Sequence, residues 1–217
     1  MLLFVLYSAL NIIVNAGNLP KVFLLGTMKS GSSSLYEFLI RHPSICPGIR
    51  KEINFIQDDT YFGHKRQHHV HHGVRSRYEG HFIDSRCGNN DLFIDGSPQF
   101  HLMSKIKTRF KEIFTVNELS KLKFIVVLRE PVARAISYYN MFTMVTLADG
   151  KPFDQIQTMK ERDAHFAPNF NDAESLKIFL QVFRRDQLLI FGADDLFHKP
   201  TETMSVIASF LNIPVSR

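Results

Sequence analysis

Cysteine is scarce in this chain: Cys46 and Cys87 are the only two in 217 residues. They admit one disulfide or none. With no C-x-x-C pair and no zinc spacing, they exclude a multi-disulfide scaffold and a thiolate zinc site. No Asn-x-Ser/Thr sequon, no internal repeat and no compelling Ser-His-Asp or Cys-His set for covalent catalysis is present. Nor is there an uninterrupted apolar run of the about 20 residues that a membrane span takes. The nearest approach is residues 1–16, MLLFVLYSALNIIVNA, interrupted by Asn11 and Asn15 and preceded by no Lys or Arg. Val14 and Ala16 suit a signal-peptidase site before Gly17, so the segment reads as a signal peptide or short signal anchor. The alternative is a buried N-terminal strand or helix.

The chain does have apolar residues enough for a core, 45% of the total, and a formal charge of +5 with ten histidines besides. Its length fits one domain, with or without appendages. Surplus positive charge bears on partners rather than fold: an anionic substrate, a nucleic acid, a membrane surface or simply a basic solvated face.

One stretch organises the rest, KVFLLGTMKSGSSSLYEFLIRHP, Lys21 to Pro43. Val22 to Leu25 is a short apolar strand. Gly26 to Ser34 is a turn of small residues, and Leu35, Phe38 and Leu39 then recur at helical spacing. Ser32 and Ser33 stand where a helix N-cap is expected. A strand, a tight loop and a helix N-terminus leave backbone N–H groups converging where the helix dipole favours an anion, and Lys29 adds a full positive charge. Gly26 and Gly31 have the spacing of a Walker loop, but Ser32 stands where that motif requires Lys. The alternative is a plain strand-to-helix turn with solvated serines.

A second corner of the same kind follows about a hundred residues later. Lys123 to Leu128, KFIVVL, reads as a parallel strand covered on both faces. It ends in Arg129-Glu130-Pro131, with Pro131 suited to a first helical turn. Ala135, Ile136, Tyr139 and Phe142 then mark a helix, and Arg134 and Ser137 share a face. In open α/β sheets, ligands bind at the carboxyl ends of strands. Two such corners side by side would hold the two ends of one nucleotide. An ion pair with Glu130 is the structural alternative for Arg129.

Between the corners, Ile53, Phe55 and Ile56 would anchor a short extended segment, Arg50-Lys51-Glu52-Ile53-Asn54-Phe55-Ile56, with Glu52 held beside them and close in sequence to the first loop. That makes Glu52 a candidate general base, or a surface acid paired with Lys51 or Arg50. Residues 58–90 form a polar excursion with five histidines between His64 and His72. His68 and His72 have metal-ligand spacing on a helix but no third ligand nearby, so a basic face or substrate-groove wall is the favoured reading. Tyr78 and Phe82 would pin this excursion to the domain. Leu92 to Asp95 and Leu188 to Phe191 read as strands, and 99–112, 172–185 and 200–211 as helices, the last with Met204, Ile207, Ala208 and Leu211 on one face. Alternating strands and helices give an α/β class with a mainly parallel central sheet flanked by helices.

These motifs resemble the sulfotransferase family, in particular its Golgi carbohydrate branch of heparan-sulfate-type enzymes. GTMKSGSSSLYEFL is similar to the family's 5′-phosphosulfate loop and FIVVLREPVARAISYY to its 3′-phosphate motif. HP…KEINF, IDGSPQF and LLIFGADDLFHKPTETMSVIASFLNIP are similar to further elements, so the likeness runs from about Val22 to Pro214. It implies a three-layer fold like that of P-loop NTPases over residues 20–217, and 3′-phosphoadenosine 5′-phosphosulfate (PAPS) as donor with no metal required. Lys29, Ser30, Gly31, Ser32 and Ser33 would hold the 5′ end, and Arg129 and Ser137 the 3′-phosphate. Glu52 would be the base, and Lys29 would also offset charge on the leaving oxygen. The implied acceptor is an anionic carbohydrate, a glycosaminoglycan, and not a nucleic acid. The implied location is the Golgi or secretory pathway, with membrane attachment through the N-terminal segment.

The chain departs from the family at Ser33, Asn54, Gly96 and Glu130, where heparan-sulfate 3-O enzymes carry Arg, His, Lys and Asp. These departures bear on the acceptor more than on the donor. The family's nucleotide-covering loop has no counterpart before Arg217, which implies a C-terminally incomplete domain. Two rival readings are a nucleotide kinase or NTPase with a degenerate P-loop, and a non-catalytic polyanion-binding fragment of the family.

Overall fold

A computed structural model describes residues 19–62, 73–84, 87–88, 91–148 and 171–215, without the side chains of 142, 143 and 145–148. The apolar segment 1–16, His68 and His72, and most of the polar connection after 148 lie outside the described residues.

Five strands form one sheet: β1 (Val22–Gly26), β2 (Ile45–Pro47), β3 (Leu92–Asp95), β4 (Lys123–Leu128) and β5 (Leu188–Gly192), in the order β2-β3-β1-β4-β5. Every neighbouring pair is parallel. The register sets Val22 opposite Lys123 and Phe23 opposite Phe124. The near-continuous apolar runs of β1 and β4 follow from burial on both faces.

The two-residue period of a strand sends alternate side chains to opposite faces, and the two faces differ in chemistry. Phe23, Leu25, Phe124 and Val126 enter one core with Phe110, Phe114, Phe179 and Phe183. The rings of Phe23 and Phe124 stack at 5.5 Å, and Phe183 lies 4.5 Å from Phe124. Helices α3 (Met103–Ile113) and α6 (Asp172–Val182) supply this aromatic side. Val22, Leu24, Ile125 and Val127 enter an aliphatic core on the other face, with α1 (Ser32–Leu39) and α8 (Pro200–Leu211). In α8, Ile207, Ala208 and Leu211 are buried as their spacing predicts.

The remaining helices are α2 (Val74–Glu79), α4 (Val116–Leu119), α5 (Pro131–Ala148) and α7 (Ala193–His198). Tyr78 and Phe82 are fully buried and pin the α2 region to the aromatic core. A disulfide joins Cys46 in β2 to Cys87, resolving the pairing that the sequence leaves open.

Two helix faces differ from the periodicity reading. In α1 the buried residues are Ser32, Leu35, Tyr36 and Leu39, while Phe38 is 40% exposed. In α5 the inward face carries Arg134 and Tyr138, and Ile136 is exposed. A polar contact made by Arg134, described below, turns that helix about its axis and outweighs burial of one isoleucine.

Because all strands run the same way, the segments that follow β1, β2, β3 and β4 emerge at one edge of the sheet. These segments carry the residues singled out above.

Candidate active site

The loop after β1 is held from inside. Thr27 donates its N–H to the Val127 carbonyl at 2.8 Å, and its hydroxyl meets that of Ser30 at 2.6 Å. Ser30 is fully buried and its N–H is given to the Thr27 carbonyl. Its hydroxyl and amide are thus spent within the loop, and it does not line the cleft. Lys29 and Gly31 both adopt left-handed backbone, with φ of 64° and 94°. For Lys29 this is an uncommon, strained conformation of the kind that clusters at functional sites.

Helix α1 starts one residue earlier than expected. Gly31, not Ser32 or Ser33, is its N-cap, and no side chain caps it. Ser32 and Ser33 form the first helical turn, so their amides belong to the set with no intrahelical partner. A Cβ on Gly31 would stand 2.9 Å from Cζ of Phe197, the tip of an exposed ring that can swing aside, so it is the positive φ that calls for glycine.

The corner after β4 meets this loop directly. Arg129 donates from Nη1 to the Lys29 carbonyl at 3.1 Å. Glu130 is not its partner: the two Glu130 oxygens accept the N–H groups of Val132 and Ala133 at 2.9 and 2.6 Å, capping α5. Those backbone bonds, Ala133 foremost, hold the Glu130 carboxyl below its usual range. Arg134, 3% exposed, donates from Nε to the Met28 carbonyl at 3.0 Å and pairs with Asp172 at 2.5 Å. Burial raises Asp172 above the ordinary carboxyl value, with Arg134 opposing that shift. Two arginines from one strand–helix corner therefore grip successive carbonyls of the other.

One cleft of about 310 Å³ is lined by Met28, Lys29, Gly31, Ser32, Ser33, Glu52, Pro98, Arg129, Ser137, Met141 and Phe197. It unites every residue that the sequence singled out for the site except Ser30. Glu52 is exposed on its rim and ion-paired to Lys51, so the surface pairing and the cleft position both hold. Met28, Pro98, Met141 and Phe197 were not foreseen. Met28, Pro98 and Phe197 lie within motifs read above but were not picked out there, and Met141 lies one turn beyond Ser137.

Asp95, at the end of β3, is buried. It accepts hydrogen bonds from Tyr78 Oη at 2.5 Å and Ser97 Oγ at 2.6 Å. Both oxygens are occupied inside the protein. Among the described residues, the group with metal-ligand spacing is Cys46, Cys87 and Asp91, and its two sulfurs are joined to each other.

The profile of the sulfotransferase domain matches residues 19–217. The chain belongs to the sulfotransferase family. Its relatives include the mouse bifunctional heparan sulfate N-deacetylase/N-sulfotransferase 4, 25% identical over 215 residues, covering 90% of this chain and 22% of that protein. The human heparan sulfate glucosamine 3-O-sulfotransferase 5 is 24% identical over 209 residues, covering 90% of this chain and 54% of that protein. The chain thus spans about a fifth to a half of these relatives. A solved sulfotransferase from Alicyclobacillus acidocaldarius superposes with a TM-score of 0.66 at 18% identity, covering 91% of this chain and 83% of that one. That likeness bears on the fold, which is the P-loop NTPase-like fold of sulfotransferases.

Proposed function

We propose that this chain transfers the sulfuryl group of PAPS to a hydroxyl or amine of an anionic carbohydrate, a glycosaminoglycan of the heparan-sulfate kind. The observation that carries the reading is the contact between the two cationic corners, Arg129 on the Lys29 carbonyl, in a cleft that also holds Glu52 and Ser137. The open N-terminus of α1 fits a doubly anionic donor: no side chain occupies the cap, and Lys29 adds charge beside it. Lys29, Gly31, Ser32 and Ser33 would hold the 5′ end, Arg129 and Ser137 the 3′-phosphate. The named activities of the two heparan sulfate relatives support the acceptor class.

The bound donor supplies an already activated sulfuryl group, so the protein's work is positioning and charge stabilisation. Glu52 accepts the proton of the acceptor hydroxyl or amine, and Lys29 offsets negative charge on the departing phosphate oxygen. The disulfide between Cys46 and Cys87 supports an oxidising compartment, in keeping with the secretory pathway. Among the described residues, no helix is long and apolar enough to cross a membrane. Attachment would rest on residues 1–16.

The test is titration with 3′-phosphoadenosine 5′-phosphate (PAP) against ADP, following thermal stability, beside transfer of labelled sulfate from PAPS to heparan sulfate. PAP should raise the melting temperature and ADP should not, since a ligand that binds only the native state stabilises it. Arg129→Ala should remove that preference. Glu52→Gln should lower kcat about 10²–10⁴-fold with PAP binding retained. Equal stabilisation by ADP, or full transfer by Glu52→Gln, would overturn the reading.

A further inference from the structure

Glu52 sits in a turn that has little regular structure of its own. Asn54, two residues on, is left-handed at φ 57°, a conformation that non-glycine residues adopt only when surroundings hold them there. Ile53, Phe55 and Ile56 are buried and fix the turn on the aromatic side. Arg50 donates from Nη2 to the Ile53 carbonyl at 3.2 Å, but that bond is local to the turn.

A polar chain ties the same turn to the sheet. The Asn54 N–H donates to Ser97 Oγ at 3.0 Å. Ser97 is buried, and its hydroxyl donates in turn to Asp95 Oδ1 at 2.6 Å, while its N–H donates to the same oxygen at 2.9 Å. The Tyr78 hydroxyl occupies Asp95 Oδ2 at 2.5 Å. Burial, with the Asp95 charge adding to it, pushes the Tyr78 hydroxyl well above the usual phenol range, so it remains a donor.

Burial raises the Asp95 carboxyl, and the bonds from Ser97 and Tyr78 oppose that shift; with the carboxylate ionised, the direction of each bond is set. Asp95 accepts from both sides, which commits the single Ser97 proton to Asp95. Ser97 is left with lone pairs only, aimed at the Asn54 amide. Deleting any member leaves a buried group without its partner, which is how such networks enforce one geometry. Asp95 ends β3, the neighbour of β1, and β1 leads into the phosphate loop. Glu52 and Lys29 are thus referenced to adjacent strands of one rigid sheet.

We propose that Ser97, oriented by Asp95 and Tyr78, is the positioning residue that sets where Glu52 stands relative to the phosphate loop. This rests on the assignment of Glu52 as general base. Ser97 touches no reacting atom in this scheme; it acts through the Asn54 amide on the turn.

The test compares Ser97→Ala, Ser97→Thr, Glu52→Gln and the Ser97→Ala/Glu52→Gln pair, by steady-state transfer of labelled sulfate from PAPS to heparan sulfate. Thermal melting with and without PAP accompanies the kinetics. Ser97→Ala should lower kcat roughly 10- to 100-fold, as a misplacement of about 1 Å does, with KM for PAPS and stabilisation by PAP unchanged. Ser97→Thr keeps the hydroxyl and should restore most of the rate. In the Glu52→Gln background the alanine should cost nothing further, because the group it positions is already disabled.

An unchanged kcat in Ser97→Ala overturns the proposal, as does an equal loss in both backgrounds. Full transfer by Glu52→Gln overturns the base assignment and this role with it. If Ser97→Ala does not fold, Tyr78→Phe removes one oxygen while keeping the ring; it should show the same kcat-selective loss at smaller amplitude, and no loss overturns the proposal. Amide exchange reads the tie without any turnover: exchange at 51–54 should quicken in the variant while β1 and β4 stay protected. If the native chain transfers no sulfate to heparan sulfate, the proposed function falls and exchange decides the tie by itself. Unchanged exchange there overturns it.

Discussion

Replacing Gly96 with alanine adds one methyl group at the point where β3, α1 and the Glu52 turn come together. Gly96 has no left-handed backbone to defend, so its role is purely one of space. A Cβ there would lie 2.6 and 2.8 Å from the Cδ2 and Cε2 atoms of Tyr36 and 3.0 Å from the Lys51 carbonyl oxygen. Carbon atoms sit comfortably at about 3.5–4.0 Å, so roughly an ångström of overlap must be relieved. Tyr36 is 3% exposed, and its hydroxyl interacts with the Gly48 backbone, which leaves the ring little freedom. Overpacking of this kind costs about 1–3 kcal/mol, and loss of glycine's freedom in the unfolded chain returns about 0.4–1 kcal/mol. The net, about 1–2 kcal/mol, corresponds to a fall of roughly 2–8 °C in melting temperature for a domain of this size. Thermal and urea unfolding of Gly96→Ala, Tyr36→Leu and the pair would measure it. In the Tyr36→Leu background the ring is gone and only the contact with the Lys51 carbonyl remains, so the added methyl should cost clearly less. Equal cost in both backgrounds would refute the steric account.

Arg134→Met should strip the Met28 carbonyl of its donor and leave Asp172 half-buried without its cation. A loss of about 3 kcal/mol and weaker stabilisation by PAP are expected on melting; an unchanged melting temperature would contradict the assignment. Glu118 is held down to about 2 from an ordinary 4.5, first by its side-chain hydrogen bonds from Arg75, both at 2.8 Å. A depressed carboxyl contributes stability above its unfolded value and loses it as pH falls through the folded one. Stability should therefore decline between pH 4.5 and about 2, and Glu118→Gln should flatten that decline in acid titrations followed by circular dichroism. Replacing Cys46 and Cys87 by serine opens a cross-link across 41 positions; chain entropy puts the loss at about 4 kcal/mol. The denaturation midpoint should move to lower urea while the preference for PAP over ADP survives, because the cross-link anchors β2 and does not line the cleft.

Four of the five strands were legible because a covered parallel sheet demands continuous apolar runs, and KFIVVL and VFLL satisfy nothing else as well; β2, three residues ending at Pro47, was not read, because so short an edge strand carries no such run. Both strand–loop–helix corners were legible for a related reason: small residues, a cation and a following helix are local in sequence. Local spacing failed wherever a distant group decided the outcome. Phe38 has the right period for the core, yet Tyr36 is buried instead, because the space beside Gly96 accepts a ring. Ile136 has the right period too, but Arg134 turns α5 toward the Met28 carbonyl and Asp172. Ser30 looks like its neighbours in composition; the left-handed residues on either side, Lys29 and Gly31, turn it inward onto Thr27.

The same contacts give the cleft a property that neither corner has alone. The loop after β1 contributes carbonyls from Met28 and Lys29, and α5 with the end of β4 contributes Arg134 and Arg129 to donate to them. Each of these carbonyls is occupied by an arginine, so neither is left as a bare acceptor beside the cleft. Arg129 itself has further N–H groups beyond the one it gives to Lys29, which leaves it able to bind a phosphate while bracing the loop. The strained turn at Lys29 and the exposed guanidinium at Arg129 are therefore one device; if they hold the donor as proposed, a substitution at either should be felt at both of its ends.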